Sequence, residues 1–405
     1  MRSLLRALSA IALTAFVAGA QQEPPPRLDF STDTVEEAPR QDQLTSSAMR
    51  TAFVRNQTIL GLFVYGPAFA TMVGTEPATR IAGYMVMAGG TFFAANETAR
   101  QFAITPARQV LSSRMAWRGG AAGLFLSGAS RMREGEAGAL TLIGALGGAG
   151  AGIGIGGGLT EGEAQSMVVG HDISAASAFA LMYVVDPYDS DGTGTSDQLR
   201  VMIPTAAGLA GYALGRLYAG RASYEVTAGD AQLLWLGAAI GGTLAGTAVV
   251  ESDPGAQTIA GTLLVGGLAG VWAADRLLVR RLDHSRADGA FISLGAGAGA
   301  LMGIGVGVLV SGNVERSSAP TLAFAALGGA AGIWLTERYA RPPADQGRRM
   351  EVGAAGVRGR LGPIGPAGAR GDDSRGLPSA EFNPIGALAA ASGANGLHSI
   401  LRITF

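Results

Sequence analysis

Between Asn56 and Glu337 the chain alternates long uncharged runs with short charged stretches, the clear runs being 56–75, 81–96, 137–160, 201–215, 231–250, 254–274, 289–314 and 317–336. Segments such as Gly-Ala-Gly-Ala and Gly-Ile-Gly-Ile-Gly also alternate with period two, which would suit strands. Membrane barrel strands, however, alternate apolar with polar residues over about ten positions. These runs are longer and have no polar face, so length decides for helices and an all-α fold class. At a rise of ~1.5 Å per residue the longer runs cover about 30 Å, the thickness of a bilayer's hydrocarbon core.

Glycine placement within the runs is the most informative feature. Gly144, Gly148, Gly152 and Gly156 are spaced four apart, as are Gly295, Gly299, Gly303 and Gly307. Shorter instances are Gly237/Gly241, Gly242/Gly246, Gly266/Gly270 and Gly328/Gly332. On a helix such residues line one face and let a neighbouring backbone approach closely, which is how helices associate in lipid.

Internal repeats point the same way. Gly135-Glu136-Ala137, Gly162-Glu163-Ala164 and Gly229-Asp230-Ala231 each open an apolar run, and Asp288-Gly289-Ala290 opens another in altered order. Residues 135–148 align with 229–242 without a gap, and Ala269–Arg276 matches Ala331–Arg338. Acids at run starts and arginines at run ends suit the two poles of a helix dipole. The unit is a helical hairpin, repeated about five times, with Glu136, Glu163 and Asp230 expected as helix caps. The glycine spacing in residues 119–332 resembles that of bacterial glycine-zipper envelope proteins, which implies a membrane protein whose chemistry is helix packing.

The ends differ from this body. Arg2 and Arg6, the apolar stretch 7–19 and Ala18-Gly19-Ala20 read as a cleaved signal peptide over 1–20. Residues 21–50, with Pro24-Pro25-Pro26 and six acids, read as a disordered acidic linker. The hairpin repeats occupy 51–340. Residues 341–405 form a Gly/Pro-rich tail in which glycines from Gly353 to Gly371 recur every third position. That is the collagen spacing, but prolines within it stand only at 363 and 366, so a flexible tail is the better reading. The alternating end Ile400-Leu401-Arg402-Ile403-Thr404-Phe405 resembles the terminal strand of bacterial outer-membrane barrels. Against that, the joins at 216–230 and 275–288 and the exit at 337–341 carry two, four and two arginines, while 251–253 and 315–316 carry none and one. This is the positive-inside pattern of an inner-membrane protein, although Glu161 and Glu163 stand where it would need arginines. Inner and outer membrane both stay open.

Composition narrows the chemistry. Gly is 63 of 405 residues, charged residues are 15% and the net charge is −1, so nucleic acid, which needs a basic excess, is excluded as a partner. With no Cys, three His and no Lys, thiol nucleophiles, Cys/His zinc sites and Schiff-base lysines are out. His171, His284 and His398 stand in different segments without partner motifs, so no enzyme is expected. Gly152-Ile153-Gly154-Ile155-Gly156-Gly157 fits a nucleotide-loop template but lacks the preceding strand, which leaves glycine packing. Asp186, Asp189, Asp191 and Asp197 surround a D-x-D-G-T-G core that resembles extracellular Ca²⁺ loops. Pro187 and Gln198 stand where the end ligands would be, so the alternative is a solvated acidic loop. His171-Asp172 interrupts an apolar stretch from Met167 to Val185, either as an intramembrane ion or proton pathway or as the cap of a second half-helix after a break at Gly170-His171. The expected function is a structural or assembly protein of the bacterial envelope, integral to a membrane, with lipid, further copies or envelope proteins as partners. A channel or transporter and a periplasmic helical array are the alternatives.

Overall fold

A computed structural model describes residues 41–185, 197–249, 255–281, 283–311 and 318–340. The expected signal peptide, the tail and most of the linker lie outside these. The described residues are all-α, without strands. A first rod runs through α1 (Gln41–Leu60), a π-helical turn (Gly61–Tyr65) and α2 (Gly66–Val73), and returns as α3 (Pro77–Gln101). Four further pairs follow: α4 (Pro106–Ala129) with α5 (Glu134–Ile155), α6 (Glu161–Val185) with α7 (Asp197–Arg221), α8 (Ala228–Thr247) with α9 (Ala256–Leu277), and α10 (Arg286–Ser311) with α11 (Ser318–Ala340). These are five hairpins, as the repeats imply. Helix α1 starts at Gln41, inside the stretch whose composition reads as linker. Helix α4 has no counterpart among the uncharged runs because Arg108, Arg114 and Arg118 interrupt it.

Hairpins two to five are closed by glycine lying on the partner's backbone. Along α5, Gly144, Gly148 and Gly152 meet the main chain of Gly119, Met115 and Leu111–Ser112, and Gly156 meets Arg108. Along α10, Gly295, Gly299, Gly303 and Gly307 meet Gly332, Gly328, Phe324 and Thr321 of α11. Gly237 and Gly241 of α8 meet Gly270 and Gly266 of α9, and Gly170 of α6 meets Gly211 of α7. At each of these places a methyl group would overlap backbone atoms, except at Gly295, where it would overlap the Thr336 side chain.

Between hairpins one rule holds throughout. The first helix of each hairpin packs against both helices of the next: the α1–α2 rod against α4 and α5, α4 against α6 and α7, α6 against α8 and α9, and α8 against α10 and α11. The first helices after the rod share a start. Thr105 accepts from the Arg108 N–H at 3.2 Å. Thr160, Thr227 and Ser285 accept from the N–H of Glu163, Asp230 and Asp288, whose carboxylates accept in return from the backbone of those same three residues at 2.8–3.0 Å. These are capping boxes, which satisfy two otherwise orphaned donors each.

Counting from the caps corrects two sequence alignments. Asp288 stands in the position of Glu163 and Asp230, so the last repeat keeps the carboxylate in register and only exchanges the glycine and alanine on either side of it. Glu136 does accept from the Arg133 N–H at 3.4 Å, but it opens α5, the second helix of its hairpin. The match of 135–148 with 229–242 therefore joins helices of different rank. Helix α6 is continuous through Gly170-His171, so Asp172 caps no half-helix.

Glycine direction gives a sign test. Gly152→Ala drives a methyl into the backbone of α4 and should destabilise by ~1–3 kcal/mol. Gly154→Ala, with open space around it, should stabilise by up to ~1 kcal/mol through helix propensity. Thermal unfolding in detergent should move the two variants in opposite directions.

Candidate functional site: polar fasteners at the seams

Each seam between consecutive hairpins holds a small polar cluster. At the first, the π-turn aims Tyr65 so that its hydroxyl donates to Gln57 Oε1 at 3.0 Å, and Gln57 Nε2 reaches Ser112 Oγ of α4 at 3.4 Å. A π-turn widens the helix by one residue, which re-aims the side chains beyond it. Outside the buried seam, Arg80 and Glu134 pair across the hairpin tips.

The second seam joins α4 to α6. Arg118 grips Asp172 through two parallel bonds, Nε to Oδ1 at 2.8 Å and Nη2 to Oδ2 at 2.6 Å. His171 Nδ1 stands 3.2 Å from Oδ1, and its ring lies 4.7 Å from that of Tyr212 on α7. Gly208 of α7 makes room for the imidazole. Planar guanidinium on carboxylate is the strongest geometry available to such a pair. The chemistry of Asp172 is thus to bind hairpin two to hairpin three.

At the third seam Asp275, near the end of α9, accepts from the hydroxyls of Tyr218 on α7 and Tyr224 in the following join at 2.7 and 2.8 Å, and from Arg280 Nε at 2.7 Å. Burial above all pushes the Tyr224 hydroxyl up to about 12; its bond with Tyr218 opposes the shift and Asp275 adds to it. It therefore stays a donor at neutral pH. At the fourth seam the capping carboxylate of α8, Asp230, is wholly buried and reaches on to the next join, with the His284 backbone N at 3.3 Å and its Nδ1 at 2.9 Å. Thr227 Oγ1 also donates to the His284 carbonyl. Glu161 of α6 pairs with Arg286 of α10 at 3.2 Å, reaching over hairpin four.

Asp186, Asp189 and Asp191 of the acidic loop lie outside the described residues, as does the side chain of Asp197, with which α7 opens. Among the described residues no three His, Asp or Glu side chains are placed to share a metal ion. The glycines of the nucleotide-like motif pack instead: Gly152 on α4, and Gly157 beneath the Arg108 guanidinium. A cleft of about 530 Å³ between the far ends of α4, α6 and α7 is lined by Leu124, Phe125, Phe179, Met182, Tyr183 and Arg200, among others, and is apolar apart from its rim. Sequence reasoning missed Arg118, the tyrosine pair and the role of His284. The capping boxes Thr160–Glu163, Thr227–Asp230 and Ser285–Asp288 were available as a signal, since Ser/Thr three residues before an acid announces a helix start.

Among the described residues, five helical segments are long and apolar enough to cross a membrane: 134–158, 161–185, 256–281, 286–311 and 319–339. No protein-family model, curated protein or solved structure matches the chain.

Two variant sets test the fasteners. Arg118→Met or Asp172→Leu alone should cost ~3 kcal/mol by removing the opposite charge from a part-buried ion pair, whereas the double variant should recover most of that loss. A double-mutant cycle from melting in detergent reads the difference. Asp230→Leu should cost ~3 kcal/mol, a lost cap together with the unpaired His284 N–H groups. Glu163→Leu, which loses only a cap, should cost ~1 kcal/mol; denaturant titration distinguishes the two.

Proposed function

We propose that this chain is a structural or assembly protein of a bacterial cell envelope, held in a membrane by its helical array. The observation that carries the reading is the sorting of side chains. Hydrogen-bonding groups are gathered in the seams and at the helix starts. Large apolar side chains point outward: Phe93 on α3, Val265 and Trp272 on α9, Leu294 and Leu309 on α10, and Leu327 and Trp334 on α11. In water, contiguous apolar surface on that scale invites association; in lipid it is solvated. Glycine-closed hairpins suit the same medium, because lipid supplies no hydrophobic drive and association rests on close packing.

Charge supports an orientation. Arg100, Arg221, Arg280, Arg281 and Arg286 stand at the end of the array where the joins between hairpins run. Arg108, in the first turn of α4, stands at the same end, its Nε donating to the Ile153 carbonyl at 3.1 Å. The positive-inside rule turns this end to the cytoplasm and favours the inner membrane. Export of the chain rests on the signal-like residues 1–20.

A channel or transporter is the second reading. It draws on Gln109, Gln165 and Gln232, whose side-chain oxygens are buried without a protein partner near the starts of three successive first helices. Ion flux in proteoliposomes that is lost in Gln165→Leu would favour it.

Carbonate extraction of separated inner and outer membranes tests the main reading. The protein should stay in the inner-membrane pellet. Recovery with outer membranes would reverse the placement, and release by osmotic shock would replace the reading with a soluble helical array in the periplasm.

A further inference from the structure

Register along the first helices shows which face of each one meets the next hairpin. In α8 these are the second, fifth, sixth, ninth and thirteenth residues after the cap: Gly229, Gln232, Leu233, Leu236 and Ile240. Gly229 lies on the backbone of His284 and Ser285, Gln232 reaches Gly289, and Ile240 points at Gly329 of α11. The same positions of α4 are Ala107, Val110, Leu111, Arg114 and Arg118, and those of α6 are Gly162, Gln165, Ser166, Val169 and Ile173. Ala107, Val110 and Leu111 share a core with Ala164 and Met167, and Arg118 holds Asp172. Gly162 lies on Val226, while Val169 and Ile173 join the core of hairpins four and five.

In α10 these positions are Ala287, Ala290, Phe291, Leu294 and Ala298, and every one is exposed. The contrast at equivalent sites is large: Leu233 is 1% exposed and Phe291 48%, while Leu294 is 68% exposed. Helix α10 packs on α11 and α8 and has no following hairpin among the described residues. A terminal repeat of a stacked array normally ends in a polar face; this one keeps the apolar side chains of an internal repeat.

The other end of the array holds the complement. At three of the four seams the second helix that receives a first helix offers it a glycine: Gly138 of α5 to Ala68 and Thr71 of α2, Gly261 of α9 to Val184 of α6, and Gly329 of α11 to Ile240 of α8; the glycines of α7 that have a neighbour face its own hairpin partner instead. The second helix of hairpin one, α3, carries Gly89 and Gly90 with nothing within 4 Å. Val86 and Phe93 flank them on the same helical stripe, 69% and 70% exposed.

We infer that a second copy of the chain continues the array, α10 of one copy seating on the Val86–Gly90–Phe93 stripe of α3 in the next. The contact repeats an interface that the chain already makes four times within itself. It is head-to-tail, so it closes a ring or extends a filament according to the rotation per copy. The inference follows from the register of the array and holds whether the array sits in lipid or in water.

The chain has no cysteine, so introduced thiols stand alone. Full-length Leu294→Cys and Phe93→Cys proteins are mixed in mild detergent and treated with a flexible bismaleimide. A cross-linked dimer containing one of each variant is expected, and the doubly substituted chain should give a ladder of multimers. Gly90→Leu should abolish that dimer while leaving the melting temperature unchanged, because its surroundings within one copy are empty. Cross-linking of Leu294→Cys to itself would overturn the proposal in favour of a two-fold contact. Absence of cross-links from a protein that sediments as a monomer would overturn it in favour of lipid or the chain's own tail as the cover. Membrane fractionation is read separately, so failure here leaves the membrane reading standing.

Discussion

Contact between glycine and a neighbouring helix's carbonyl groups is the constraint on which the rest of the structure depends. Where Gly299 faces Gly328, or Gly241 faces Gly266, two backbones lie as close as helices can. Such approach maximises dispersion contact between main chains and costs little side-chain entropy, since neither residue has a side chain to order. It also explains the composition. An array in which four hairpins are closed by glycine on backbone has little room for large residues inside, and its bulky residues are displaced to outward faces and seams.

Close packing alone is unselective, because one glycine stripe fits another about equally well. Selection comes from the seams. Asp172, Asp275 and Asp230 each serve one seam, with different partners: a guanidinium, a pair of phenols and a histidine. A hairpin stacked on the wrong neighbour would take from one of these carboxylates the donors that reach it across the seam. Buried ionic and polar groups add little net stability once their desolvation is counted, but they penalise wrong arrangements. Stability here lives in the glycine contacts and order in the seam carboxylates.

The helical class, the hairpin unit and the two long glycine faces were legible in the sequence because a period of four survives in any context that keeps the helix. Capping by Glu163 and Asp230 was legible for the same local reason. The phase of the hairpins was not. Helix α4 is broken up by Arg108, Arg114 and Arg118, so it hid among charged joins, and the gapless match of 135–148 with 229–242 paired α5 with α8, while the match of Ala269–Arg276 with Ala331–Arg338 joined helices of equal rank. What ties α4 into the array is Asp172 in α6, a residue 54 positions away, and local pattern carries no trace of such pairing. The polar His171-Asp172 interruption of the apolar stretch Met167–Val185 was visible as a position, but its role as a fastener depended on that distant arginine.

Because the stacking face and the glycine face of each first helix are both set by counting from its cap, the array tolerates changes of length very unevenly. At the hairpin tips, between α6 and α7 or between α8 and α9, the chain can lengthen or shorten while every contact of the spine is kept. Between Thr227 and Gly237 a single inserted residue would turn all that follows by about 100°, swinging Gly237 and Gly241 off α9 and Ile240 off α11 together. Divergence within this architecture is therefore channelled to one rim of the array, where new binding loops can be tried without disturbing the helices that hold them.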